Sequence, residues 1–151
     1  MPVETLENIR AHVGKEVGLS SWLTVDQPRI DAFADATEDH QFIHVDPAAA
    51  ASAGFGGTIA HGFLSLSLLS RMAAEAMLLP HSLKMAVNYG LDRVRFLAPV
   101  QSGKRVRGRF VLDSVDEKAP GQILMRHTVT VEIEGGDKPA LTAVWLGLMF
   151  V

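Results

Sequence analysis

The segment Asp39-His40-Gln41-Phe42-Ile43-His44 sets a carboxylate and an imidazole five positions apart, between two stretches of helical periodicity. Near neutral pH one such group can accept a proton while the other gives one up. Seventeen positions on, His61-Gly62 opens the most apolar helical pattern of the chain. The start of a helix carries backbone N–H groups with no partner inside the helix. An acid/base pair beside free N–H donors has the parts to move protons next to a polarised carbonyl. Taken alone, Asp39 equally suits a turn or a cap, and His44 a hydrogen-bonded structural histidine. His40, His44 and His61 also have a loop spacing open to metal, but no carboxylate-rich ligand set surrounds them, so neither metal nor cofactor is expected.

The elements that must position these residues follow from pattern. Residues 4–12 read as a short helix and 19–25 as a first strand. Asp26 can cap a helix with Pro28 in its first turn, and that helix fades at Thr37-Glu38, just before Asp39. Asp46-Pro47 repeats the cap-and-proline signal ahead of residues 48–52, and Gly54, Gly56 and Gly57 then break the chain or rim an opening. From residue 62 to 79 the pattern is apolar on nearly every side, the mark of a buried helix, with Pro80 ending it. Residues 83–96, 105–113, 123–134 and 140–151 alternate or are dense in β-branched and aromatic side chains, and read as four strands in meander. The last is apolar on both faces and is expected to be central. The order implies an α+β domain spanning residues 1–151, with an antiparallel sheet around one long helix.

Bulk properties narrow the function. At 151 residues, 48% apolar and 21% charged, the chain can bury a real core. A net charge of −3 offers no broad basic field for nucleic acid. The one dense basic run, Lys104-Arg105-Val106-Arg107-Gly108-Arg109, first reads as the wet face of a strand. No cysteine is present, which excludes disulfides and thiolate chemistry. The acidic first residues do not read as a signal peptide, and no stretch approaches a membrane span, so a cytoplasmic protein is expected. The mean hydropathy of +0.18 is high for a small monomer and points to apolar surface buried between subunits.

The residues also resemble a family. Asp39-His40-Gln41-Phe42-Ile43-His44-x5-Ala50 is similar to the signature Gly-Asp-x-Asn-Pro-(aliphatic)-His-x5-(Ala/Ser) of the MaoC-like (R)-specific enoyl-CoA hydratases. Thr58-Ile59-Ala60-His61-Gly62-Phe63-Leu64-Ser65 resembles that family's Ala-His/Gln-Gly helix start, and the stretch from Asn88 to Val100 its Phe-x-x-Pro-Val turn. The resemblance covers residues 15–151 and is nearest to the single-domain NodN-like branch. Glu38 stands where the family usually has Gly, and Gln41-Phe42 replaces Asn-Pro.

The resemblance implies a hotdog fold, a homodimer, and hydration of an enoyl thioester or the reverse dehydration. It implies Asp39 and His44 gripping one water, with the Gly62 N–H bonding the thioester oxygen, where glycine leaves room for substrate. His61, Ser65, Asn88, Arg93 and Arg95 are candidate substrate-binding residues. Ser65 alternatively bonds a backbone carbonyl, His61 orients its loop, and Asn88 ends a strand. Arg93 and Arg95 share a strand face by period two; with Lys104, Arg105 and Arg107 they either meet the phosphates of coenzyme A or are simply solvated. Two other functions compete. A hotdog thioesterase needs a carboxylate or serine at the carbonyl carbon, and Glu75, the one carboxylate deep in the long helix, lies far from Gly62. A non-catalytic acyl-CoA-binding module needs neither Asp39 nor His44.

Overall fold

Alternating apolar and polar residues give long strands, and the computed structural model, which describes residues 2–151, holds them in one antiparallel sheet. In chain order the elements are β1 (Val3–Glu4), α1 (Leu6–Arg10), β2 (Glu16–Leu19), β3 (Leu23–Val25), α2 (Gln27–Thr37), α3 (Phe42–Val45) and α4 (Pro47–Ala50). A wide helical turn, Ala51–Phe55, follows. Then come α5 (Gly62–Ser67), α6 (Leu69–Ala76), β4 (Leu79–Pro80), β5 (Met85–Phe96), β6 (Lys104–Ala119), β7 (Gln122–Ile133) and β8 (Leu141–Phe150). The sheet runs β2-β6-β7-β8-β5, with β3 also on β6, while β1 and β4 form a small parallel pair.

The central helix lies against the concave face of this sheet. Leu64, Met72, Ala73 and Ala76 from the helix meet Val106, Phe110 and Leu112 of β6, Met125, Val129 and Val131 of β7, and Leu141 and Ala143 of β8. Their alternation along each strand follows from the two-residue period of the pleat. The α+β sheet-around-helix arrangement expected from the sequence is therefore present.

Several details differ from the sequence reading. The helix ends at Ala76 rather than 79, and Met77 is already extended (ψ 145°). It loosens at Leu68 into α5 and α6. Ser67 Oγ donates to Phe63 O at 2.7 Å, a side-chain bond of the kind that bends helices. The axis continues, since Leu68 N–H reaches Leu64 O and Met72 N–H reaches Leu68 O, both at 3.0 Å. Nor is the helix buried all round: Phe63, Ser67, Ser70, Arg71 and Glu75 face outward. The expected first strand is split, because Ser21 turns out to give Glu75 two hydrogen bonds, N–H at 2.8 Å and Oγ at 2.7 Å.

The four long strands are not a simple meander. β6, β7 and β8 are sequential neighbours, but β5 lies beyond β8 at the far edge. The chain must then cross from β5 to β6. Residues 97–103 make that crossing past the start of α5, where Ala60 N–H bonds Val100 O (2.8 Å), Ser102 N–H bonds Thr58 O (2.9 Å) and Ile59 bridges Gln101. This crossing builds one wall of the candidate site. β8 is central, as expected from its apolar faces. No helix among the described residues is long and apolar enough to cross a membrane.

Candidate active site

Two capped helices bracket the loop that carries Asp39. Asp26 caps α2 by accepting from Arg29 N–H at 3.1 Å, and Asp46 caps α4 by accepting from Ala49 N–H at 3.0 Å. Between them α2 ends on Glu38 in the left-handed region, Asp39 lies in the loop, and His44 sits in the single turn of α3 rather than between helices. Gln27, in the first turn of α2, holds this turn in place. Its Nε2 donates to His44 O at 2.8 Å and its Oε1 accepts from Thr58 Oγ1.

His44 is buried, and its Nδ1 lies 2.7 Å from Ile59 O. A carbonyl only accepts, so Nδ1 carries the hydrogen and Nε2 is the nitrogen left to exchange a proton. His61 is buried too, with Nε2 2.9 Å from Asp39 O, which makes that nitrogen the donor. The two rings stack, centroids 3.7 Å apart and planes 22° apart. A carboxylate oxygen of Asp39 and one ring nitrogen from each histidine all lie within 4.8 Å of one another. One tetrahedral water making two bonds of about 2.8 Å spans roughly 4.6 Å between its partners. Asp39 and His44 can therefore share a water.

Beside His44 opens a cavity of about 360 Å³, lined among others by Ile59, Gly62, Ser65, Phe96, Pro99 and Val100. Gly62 and Ser65 put the start of α5 in its wall, where N–H groups lack intrahelical acceptors. Ser65 is buried and lines the cavity, and its hydroxyl, unlike that of Ser67, makes no hydrogen bond among the described residues. At Gly62 a Cβ would come within 3.0 Å of the Phe96 ring, so the space beside this glycine belongs to Phe96.

The other sequence candidates stand apart from this cavity within one chain. Asn88 lines a separate hollow with Ser67, Tyr89 and Trp145 on the flank of the central helix. Arg93 and Arg95 border a cleft with Thr128 and Thr142 on the convex face of the sheet, Arg93 at a bulge with φ 49°. Arg105 pairs with Glu134, and Arg107 with Glu132 at 2.7 Å, so these two guanidiniums are committed to carboxylates rather than free for phosphate. His40 turns outward to Asp35 at 2.8 Å, and that hydrogen bond raises its pKa. Glu75 is held down to about 2 by the two Ser21 hydrogen bonds and by Arg71, and is occupied in bracing α6 against the β2–β3 link. The sequence reading missed Gln27, Thr58 as its partner, and Phe33, whose ring lies 5.0 Å from His61. Nothing in a residue's type announces a hydrogen bond to a carbonyl many positions away.

Residues 8–134 match the model of the MaoC like domain. The chain belongs to the MaoC-like family. This MaoC-like chain is 53% identical over 146 residues to Nodulation protein N of Rhizobium leguminosarum bv. viciae, covering 96% of this chain and 91% of that one. It is 46% identical over 140 residues to 3-hydroxyacyl-thioester dehydratase Z of Mycobacterium tuberculosis (strain H37Rv), covering 93% and 92%. Among solved structures it resembles the (R)-hydratase from A. caviae involved in PHA biosynthesis, with a TM-score of 0.69 and 28% identity over 89% of this chain and 96% of that one. The fold is the hotdog of these MaoC-like neighbours.

Proposed function

We propose that this MaoC-like chain adds water across the C2=C3 bond of a trans-2-enoyl-CoA to give the (3R)-hydroxyacyl thioester, or runs the reverse dehydration. The observation that carries the reading is the approach of Asp39 and His44 to within reach of one water, with His44 and the start of α5 lining one apolar cavity. Water oxygen bonds C3 while a proton leaves it for Asp39 or His44 Nε2. The electron pair of the double bond moves toward the thioester oxygen, and C2 takes a proton to close the balance. The Gly62 N–H faces the enolate oxygen, and the α5 dipole adds to that field. The names of the dehydratase and (R)-hydratase relatives support this class of reaction and this stereochemistry.

The unit that acts is proposed to be a homodimer of single-domain chains. Among the described residues β5 is bonded on one side only, and Met85, Val87, Tyr89 and Leu91 along it are exposed, as are Phe63, Phe96 and Leu97 nearby. A long apolar edge invites a second strand, and a twofold β5–β5 pairing would cover it. Glu75, already bound to Ser21 and Arg71, does not favour the thioesterase reading.

The enone absorbance of crotonyl-CoA tests the proposal. Loss of the band on addition of the protein is expected, without release of free thiol. Asp39→Asn and His44→Ala are expected to cut turnover by roughly 10²–10⁴ while circular dichroism shows the fold intact. A folded dimer that leaves crotonyl-CoA and longer enoyl-CoAs unchanged would remove the reading, and thiol release would replace it with thioester hydrolysis.

A further inference from the structure

We infer that His61 is a positioning residue: it holds Asp39 and His44 in register for the proton transfers and does not itself bind substrate or exchange a proton. The inference rests on the hydratase reading above. Asp39 is exposed, and among the described residues its carboxylate takes one hydrogen bond, a long 3.4 Å one from Gln41 N–H. Its backbone, by contrast, is tied across twenty-two positions to the imidazole of His61 at 2.9 Å. The same ring lies flat on His44 and against Phe33 of α2, the helix that delivers the loop. One side chain thus touches both members of the pair and the element that carries one of them. His44 is fixed from a second side by Ile59 O, but Asp39 is fixed mainly by His61.

The ring's own bonding points to holding rather than to chemistry. Its Nε2 is committed to Asp39 O, and its other nitrogen, Nδ1, is buried and meets no donor or acceptor among the described residues. What His61 supplies is an N–H at a set distance and a flat surface.

Three variants separate this role from bulk packing. His61→Gln keeps an amide N–H near the same reach. His61→Asn keeps the amide but stops one methylene short of Asp39 O. His61→Phe keeps the flat ring and loses the donor. Loss of the tether is expected to lower kcat on the order of 10- to 100-fold with KM within about threefold, because misplacement by about 1 Å costs that much. The Phe and Asn variants should show the loss, and Gln should recover most of it. Near-normal kcat in Asn and Phe, or a Gln variant as impaired as Asn, overturns the inference while leaving the hydratase reading in place. If the wild-type protein turns over no enoyl-CoA, the hydratase reading falls first. Backbone NMR then decides the tether: resonances of Asp39 to Gln41 that move or broaden in Asn but not in Gln support it, and unmoved resonances in both overturn it.

Discussion

Glu38 holds φ 59° and ψ 22°, the left-handed conformation, at the end of α2. The family signature has glycine at this position, and the backbone explains why: a Cβ there crowds the following carbonyl, a cost of roughly 1–2 kcal/mol that glycine escapes. Part of that gain is lost to the greater freedom of glycine in the unfolded chain. Glu38→Gly is therefore expected to stabilise the protein by about 0.5–1 kcal/mol, raising Tm by roughly 1–4 °C. A scanning-calorimetry midpoint that falls instead would show that the side chain, not the backbone, governs this turn. Asp39, His44 and Gly62 were singled out by their motifs and by the family those motifs resemble; type and spacing alone left Asp39 open to a turn or cap and His44 to a structural role. Their supports were not legible. The bonds from His61 to Asp39 O and from Gln27 to His44 O join segments that only the fold brings together, and a carbonyl acceptor has no residue type.

At the level of elements, caps and periodicity located nearly every helix and strand, while their ends and order depended on contacts. Asp26 with Pro28 and Asp46 with Pro47 start helices as read. The end of α6 at Ala76 is set by what lies beside it. Gly18 of β2 approaches so closely that a Cβ there would sit 2.2 Å from Ala76 O. Backbone meets backbone at this point, so neither side can swing away as a flexible side chain would. Gly18→Ala is expected to cost about 3 kcal/mol or more, at or beyond the upper end of ordinary overpacking, measured by urea unfolding. Gly62 makes a useful contrast, since its added Cβ would meet only the half-exposed ring of Phe96, which can rotate. A Gly18→Ala variant as stable as the Gly62→Ala variant would mean that β2 shifts away from the helix freely. The position of β5 at the far edge was illegible for a related reason: its alternation fixes which face is apolar, and only the crossing of residues 97–103 fixes its neighbour.

For the molecule as a whole, acid stability turns on a histidine that no site uses. His127 is 1% exposed, points from β7 into the concave core, and has neither ring nitrogen hydrogen-bonded among the described residues. Burial lowers its pKa to about 4, against a weaker opposing pull from Asp113. The unfolded chain, with an ordinary imidazole near 6.5, binds a proton that the folded chain refuses between those two values. Stability from this group is thus fully present above about pH 6.5 and drains away as pH falls toward 4, by roughly 3 kcal/mol in all. Carboxylates such as Glu132 and Glu134, lowered by their arginine partners, respond only below their own ordinary range near 4.5, so the two windows separate. His127→Leu removes both the titration and a buried unpaired N–H, and at pH 7 it is expected to be more stable by about 1 kcal/mol. Between pH 6.5 and 4.5 its stability, from urea unfolding at each pH, should stay nearly flat while that of the wild type declines. Parallel curves for the two proteins would show that His127 is protonated in the folded state as readily as in the unfolded one, and that the acid response of this fold comes from its surface carboxylates instead.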